Sequence, residues 1–183
     1  MRLANQSADR LLRSAARGDQ GAFAELVRQH QSMVFSIAWH FLRDRDTAEE
    51  LAQEVFLHLY RCLDAIESPG HLVQWLRKVT GHRCIDQSRR ARYRPRVGLD
   101  HAPEPSVAAR IGDPLLSGLL QRLISELPDK PRMIVVLRYQ EELEPMEIAE
   151  LMDIPLGTVK SSLHRALALL RGRMERLQRG VIQ

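Results

Sequence analysis

Lys160, Ser161, His164 and Arg165 recur at helical spacing, so all four share one side of a helix. The opposite side carries Val159, Leu163, Ala166, Leu167 and Leu170, an apolar stripe of period 3.6 that belongs against a core. The outer side, completed by Ala168, is small and cationic. Arg and Lys donate to the major-groove edge of guanine, and Ser hydroxyls pair with any base edge. Such a helix is suited to a DNA groove when a second helix braces it. Residues 144–171 read EPMEIAELMDIPLGTVKSSLHRALALLR and supply that brace. A first helix over residues 144–152 turns Ile148, Ala149 and Met152 to one face. A turn follows at Asp153, Ile154 and Pro155, and Thr158 is expected to cap the second helix. The pattern is a helix-turn-helix. Its bland alternative is a helical hairpin with a solvated face.

A second constellation lies in WLRKVTGHRCIDQSRRARYRPR, residues 75–96. Lys78, His82, Arg83, Arg89, Arg90 and Arg92 run along a helix and past its end, with the flat rings of Trp75, His82 and Tyr93 among them. Rings among cations stack on and neutralise single-stranded nucleic acid. A core Trp with a basic helix end gives the same letters. A third constellation is acidic. Asp46, Glu49, Glu50, Gln53, Glu54 and Leu57 face outward when Ala48, Leu51, Ala52, Val55, Phe56, Leu59 and Leu63 face inward. This ridge fits a basic partner helix, or is a solvated face with acids near a helix start.

Charge distribution supports polyanion contacts. The 183 residues carry a formal net charge of +4. Residues 82–96 have a local balance of +5, and residues 157–180 again +5. Residues 141–153 hold six acids and no Lys or Arg. Two basic blocks far apart suggest two separate nucleic-acid contacts. No run of about eighteen apolar residues is present, so no membrane insertion is expected. The first twenty residues lack the apolar core of a signal peptide. Cys62 and Cys84 give no disulfide framework, which points to a cytoplasmic protein. His58 with Cys62, and His82 with Cys84, lack the further partners of a zinc site. No Gly-rich phosphate loop, HExxH or GxSxG occurs, so no catalytic residue, metal or cofactor is expected.

The elements that must position these groups are all helical. A short helix over residues 9–17 ends at Gly18. Phe23, Leu26, Val27, His30, Val34, Ile37, Ala38, Phe41 and Leu42 form the stripe of the next. Asp46 or Thr47 is expected to cap the ridge helix, and a further helix is expected from near Leu72, carrying Trp75, Leu76, Val79 and Ile85. Residues 66–71 between them, with Pro69 and Gly70, read as a loop. Residues 93–114 are Pro- and Gly-rich and read as a flexible linker. Leu116, Leu119, Leu120, Leu123 and Leu127 then restore a stripe. Met133 to Leu137, MIVVL, has strand composition but is read as a buried helix, since no partner strand is visible. The fold class is all-α, with a helical bundle over residues 1–92, a linker over 93–114 and a helix-turn-helix domain over 115–183.

Taken in order, these pieces resemble the extracytoplasmic-function (ECF) sigma factors of bacterial RNA polymerase over about residues 9–177. DRDTAEELAQEVFLHLYRCLD resembles the family's polymerase-docking region. HLVQWLRKVTGHRCIDQSRR is similar to its −10 reading helix. LPDKPRMIVVLRYQEELEPMEIAELMDIPLGTVKSSLHRALALLR is similar to its −35 reading region. The resemblance implies partners: core RNA polymerase through its β′ clamp helices and β flap, promoter DNA, and an anti-sigma factor that holds the protein near the membrane. It also implies residue roles. Asp46, Glu49, Glu50, Gln53, Glu54 and Leu57 would meet the polymerase. Ile66, Ser68, His71, Trp75, Lys78, His82 and Arg83 would meet the −10 strand. Thr158, Lys160, Ser161, His164 and Arg165 would meet the −35 duplex. Two departures stand out: ESPGH at residues 67–71 where many members carry an Arg-Gly type of sequence, and Asp153 where Gly is frequent. A helix-turn-helix regulator that acts without polymerase remains the alternative.

Overall fold

The computed structural model describes residues 2–93 and 114–180, with side chains described for residues 6–92 and 118–176. The described residues are helical apart from short connections. The N-terminal unit holds α1 (Arg2–Ala16), α2 (Gln20–Leu42), α3 (Arg45–Arg61), a single 3-10 turn (Leu63–Ala65) and α4 (Pro69–Tyr93). The C-terminal unit holds α5 (Pro114–Ser125), α6 (Asp129–Tyr139), α7 (Pro145–Met152) and α8 (Leu156–Gly180). The proposed linker lies outside the described residues, except that Tyr93 closes α4 and Pro114 opens α5.

Local chemistry sets the helix ends. Gly18 takes φ +91 after α1, a conformation open to glycine at little cost. Asp19 caps α2 by accepting the Ala22 N–H at 3.1 Å. Three expected starts need correction. Asp44, not Asp46 or Thr47, caps α3, its carboxylate accepting the Thr47 N–H at 2.7 Å. Helix α4 begins at Pro69 rather than near Leu72, because proline needs no N–H partner in a first turn and Ser68 Oγ accepts the His71 N–H at 3.1 Å. Helix α8 begins at Leu156, so Thr158 lies inside its first turn, where its N–H donates to the Pro155 carbonyl at 2.8 Å.

Phe41, Ile37, Val34, Val55, Leu59, Leu72 and Leu76 form the centre of the first unit, each almost fully buried. Met133 to Leu137 are helical and buried on every side. The reason is position: α6 lies between α2 and α4 on one flank and α7 and α8 on the other. A helix enclosed all round reads as a continuous apolar run. The two units therefore pack on each other and share one continuous core.

Candidate nucleic-acid interface

Helix α7 opens with Glu144, whose N–H donates to Glu147 Oε2 at 2.7 Å. It ends at Asp153 in the left-handed region, φ 52. This reversal lets the Ile154 N–H reach the Ala149 carbonyl at 3.1 Å, and α8 then departs at an angle. Val159, Leu163, Ala166 and Leu170 anchor α8 on the core. Leu167, expected in the same stripe, is instead at the edge with 36% exposure. Thr158, Lys160, Ser161, His164 and Arg165 are all exposed on the outer side. Arg165 lies along its own helix, with Nε donating to the Ser161 carbonyl at 3.2 Å. Its guanidinium therefore has to swing outward to reach a base.

The residues assigned to the −10 strand divide into four groups. Ile66 is 7% exposed in the first unit's core, so it cannot touch a base; its burial fixes the loop. Ser68 and His71 are used in local bonds at the start of α4, where His71 Nδ1 accepts the Glu67 N–H at 3.3 Å. Trp75 is partly buried, its ring edge-on to His58 with centroids 5.2 Å apart. Trp75, Lys78, His82 and His71 line a cleft whose far wall is Leu143, Glu147, Glu150 and Leu151 of the C-terminal unit. Lys78 Nζ pairs with Asp153 at 2.7 Å. That ion pair holds the Asp153 carboxyl below the usual range. Arg83 points to the other flank, pairing with Glu54 at 2.6 Å.

The ridge on α3 is present as read. Asp46, Glu49, Glu50, Gln53, Glu54 and Leu57 are all exposed. Glu49 also pairs with Arg45 at 2.9 Å. What the sequence reading missed is the groove beside it, between α2 and α3. Phe23, Val27, Phe35, Phe56, Leu57 and Tyr60 line it. Phe23 meets Tyr60 edge-on at 5.0 Å, and Leu57 and Tyr60 are 60% and 52% exposed. Two large apolar residues three apart on the outward side of an amphipathic helix were the available signal. Among the described residues, no three His, Cys, Asp or Glu side chains converge on a metal-sized site. Nor is any described helix long and apolar enough to cross a membrane.

Comparison with known proteins agrees with this geometry. Residues 26–94 match the family model for Sigma-70 region 2, and residues 117–170 match that for Sigma-70, region 4. The chain is 30% identical to the ECF RNA polymerase sigma factor SigW of Bacillus subtilis (strain 168), over 91% of this chain and 96% of that protein. The fold is similar to that of CnrH, solved in complex with the cytosolic domain of CnrY. The TM-score is 0.68 at 22% identity, covering 92% of this chain and 98% of that one. It is equally similar to the sigma factor RpoE, solved with the anti-sigma factor NepR from Bartonella quintana. That TM-score is 0.68 at 18% identity, covering 84% and 96%.

Proposed function

The chain belongs to the ECF RNA polymerase sigma factors and directs transcription initiation; from that premise we propose how its surfaces divide the work. Helix α8 reads the −35 duplex. Arg165 donates to a guanine edge, Ser161 and His164 meet neighbouring edges, and Lys160 and Thr158 hold the backbone. The single observation that carries this is the exposure of those residues over Val159, Leu163, Ala166 and Leu170, which lock the helix against the core.

Helix α4 and its leading loop take the non-template −10 strand. An unstacked base offers its face and its pairing edge, both hidden in duplex. Trp75 braces the pocket, Ser68 and His71 shape its mouth, Lys78 and His82 meet the strand, and Arg83 joins them on leaving Glu54. The α3 ridge, with the apolar groove beside it, docks the β′ clamp helices. Its carboxylates would steer a basic helix, and Leu57 would anchor it. The C-terminal unit takes the β flap. The protein is a specificity subunit and not a catalyst, and it works in the cytoplasm. An anti-sigma factor holds it there, near the membrane, until a signal releases it.

The test is co-elution with core RNA polymerase followed by run-off transcription from a promoter library. Co-elution and new start sites are expected. Duplex binding without co-elution at low salt would favour a regulator that acts without polymerase.

A further inference from the structure

Residues 141–153, with six acids and no Lys or Arg, have no use in the reading just given. An acidic segment beside a duplex-reading helix is repelled by DNA phosphates. Burial of the apolar face of α7, with Ile148, Ala149, Leu151 and Met152, also does not require the acids. The structure shows what they do touch. Glu141 pairs with Arg77 at 3.4 Å, both side chains largely buried. Asp153 pairs with Lys78 at 2.7 Å. Glu147 and Glu150 face the cleft that holds Trp75 and His82. Farther along α4 a different acid, Asp129 at the start of α6, adds to the packing: Ser88 donates to it at 2.8 Å, and Arg92 pairs with the same carboxylate.

Two further features belong to this contact. Gly81 sits mid-helix in α4, where a Cβ would stand 3.7 Å from Met133 Sδ and 3.9 Å from Leu151 Cδ2. Helices α6 and α7 thus lie against α4 with room at this position for a methyl but not for a large side chain. Asp153 holds φ 52, a conformation glycine takes without strain, and its side chain spans to Lys78.

We propose that this acidic segment is an intramolecular stand-in for the DNA strand: in the packed chain it occupies the part of α4 that carries Arg77, Lys78 and His82, and it must leave before a −10 strand binds there. The proposal rests on the reading that α4 carries that strand. Phosphates and carboxylates compete for the same cations, so strand binding and unit packing exclude each other. Within the segment, the Lys78–Asp153 pair is exposed and individually weak, so that end of the contact is releasable, while the more buried Arg77–Glu141 pair is the firmer hold.

The test uses the full chain and a labelled single-stranded 20-mer of mixed sequence at fixed low salt. Glu150→Gln/Asp153→Gly removes two carboxylates that face α4. Glu142→Gln/Glu144→Gln removes the same charge from the same segment, but away from the cleft. Asp153→Gly alone is the milder variant should the double one unfold, and circular dichroism checks all three. Strand affinity is expected to rise about tenfold in the cleft variant, with a larger radius of gyration by X-ray scattering, and to stay near wild type in the control. An equal gain in both double variants would reduce the effect to net charge and overturn the proposal. Unchanged compactness and affinity in the cleft variant would overturn it as well. In that case Lys78→Ala and His82→Ala decide the underlying reading. Weakened strand binding keeps α4 as the strand site, and unchanged binding removes both.

Discussion

Arg165 and Lys160 both stand exposed on α8, but they predict different failures. A bidentate arginine carries sequence information, whereas a lysine on phosphate carries none. Arg165→Ala is expected to cost about 1–3 kcal/mol on the best −35 duplex and to relax selectivity at one base pair. Lys160→Ala should weaken all duplexes alike and flatten the salt dependence by about one unit of slope. Titrations on duplexes with single-base changes, at two salt concentrations, separate the cases. His82 is exposed on α4 and close to Asp153. His82→Ala should lower open-complex formation, read by permanganate reactivity of −10 thymines, more than it lowers duplex or polymerase binding. Equal opening by wild type and variant would remove His82 from the strand site. Of the residues that the resemblance assigns to the −10 strand, Ile66 is the one the structure buries. Loop letters suggested access, but a large aliphatic residue next to two helix ends is drawn into the core.

At the scale of elements, the ridge and α4 give opposite lessons. The ridge was legible because α3 is strongly periodic, and its outward set follows once the inward stripe is known. Reversing charge at Glu49, Glu50 and Glu54 is expected to weaken polymerase docking while leaving the melting temperature nearly unchanged. Only exposed pairs with Arg45 and Arg83 are lost, each worth ~0–1 kcal/mol. Core affinity by co-elution and a thermal melt check both halves. The adjoining groove was not legible, since Phe23 and Val27 sit in an apolar stripe that also feeds the core. Helix α4 was half legible. Its one set of apolar residues was read correctly, but Gly81 carried no message without knowing what lies against it. A methyl there makes ordinary contacts with Met133 and Leu151. Gly81→Ala should therefore stabilise the chain by up to ~1 kcal/mol through helix propensity. Gly81→Leu should wedge the units apart. Urea unfolding of the first and scattering of the second test this pair.

The packing of one unit on the other is a property of the whole chain, and it was the least legible feature. Its contacts join residues more than fifty positions apart, such as Arg77 with Glu141 and Arg132 with the Phe41 carbonyl at 3.2 Å. Local periodicity says nothing about such pairs. Burial at this seam also leaves a titratable mark. His40 of α2 faces Gln121 and Ile124 of α5, Val135, Val136 and Tyr139 of α6, and Gln140 just past its end, with Arg43 as its charged neighbour. Burial, with a smaller push from Arg43, lowers its pKa from 6.5 to about 4. The unfolded chain therefore binds a proton near pH 6.5 that the folded chain refuses until about pH 4. Between those values the unfolded state holds more protons, so stability falls as pH falls. A shift of that size would be worth roughly 2 kcal/mol at pH 5, and partial exposure reduces it to about 1 kcal/mol. Wild type should lose more stability between pH 7 and pH 5 than His40→Gln, by about that amount, in urea unfolding at the two pH values. Identical losses in the two proteins would show that His40 is not the group that makes this seam sensitive to acid.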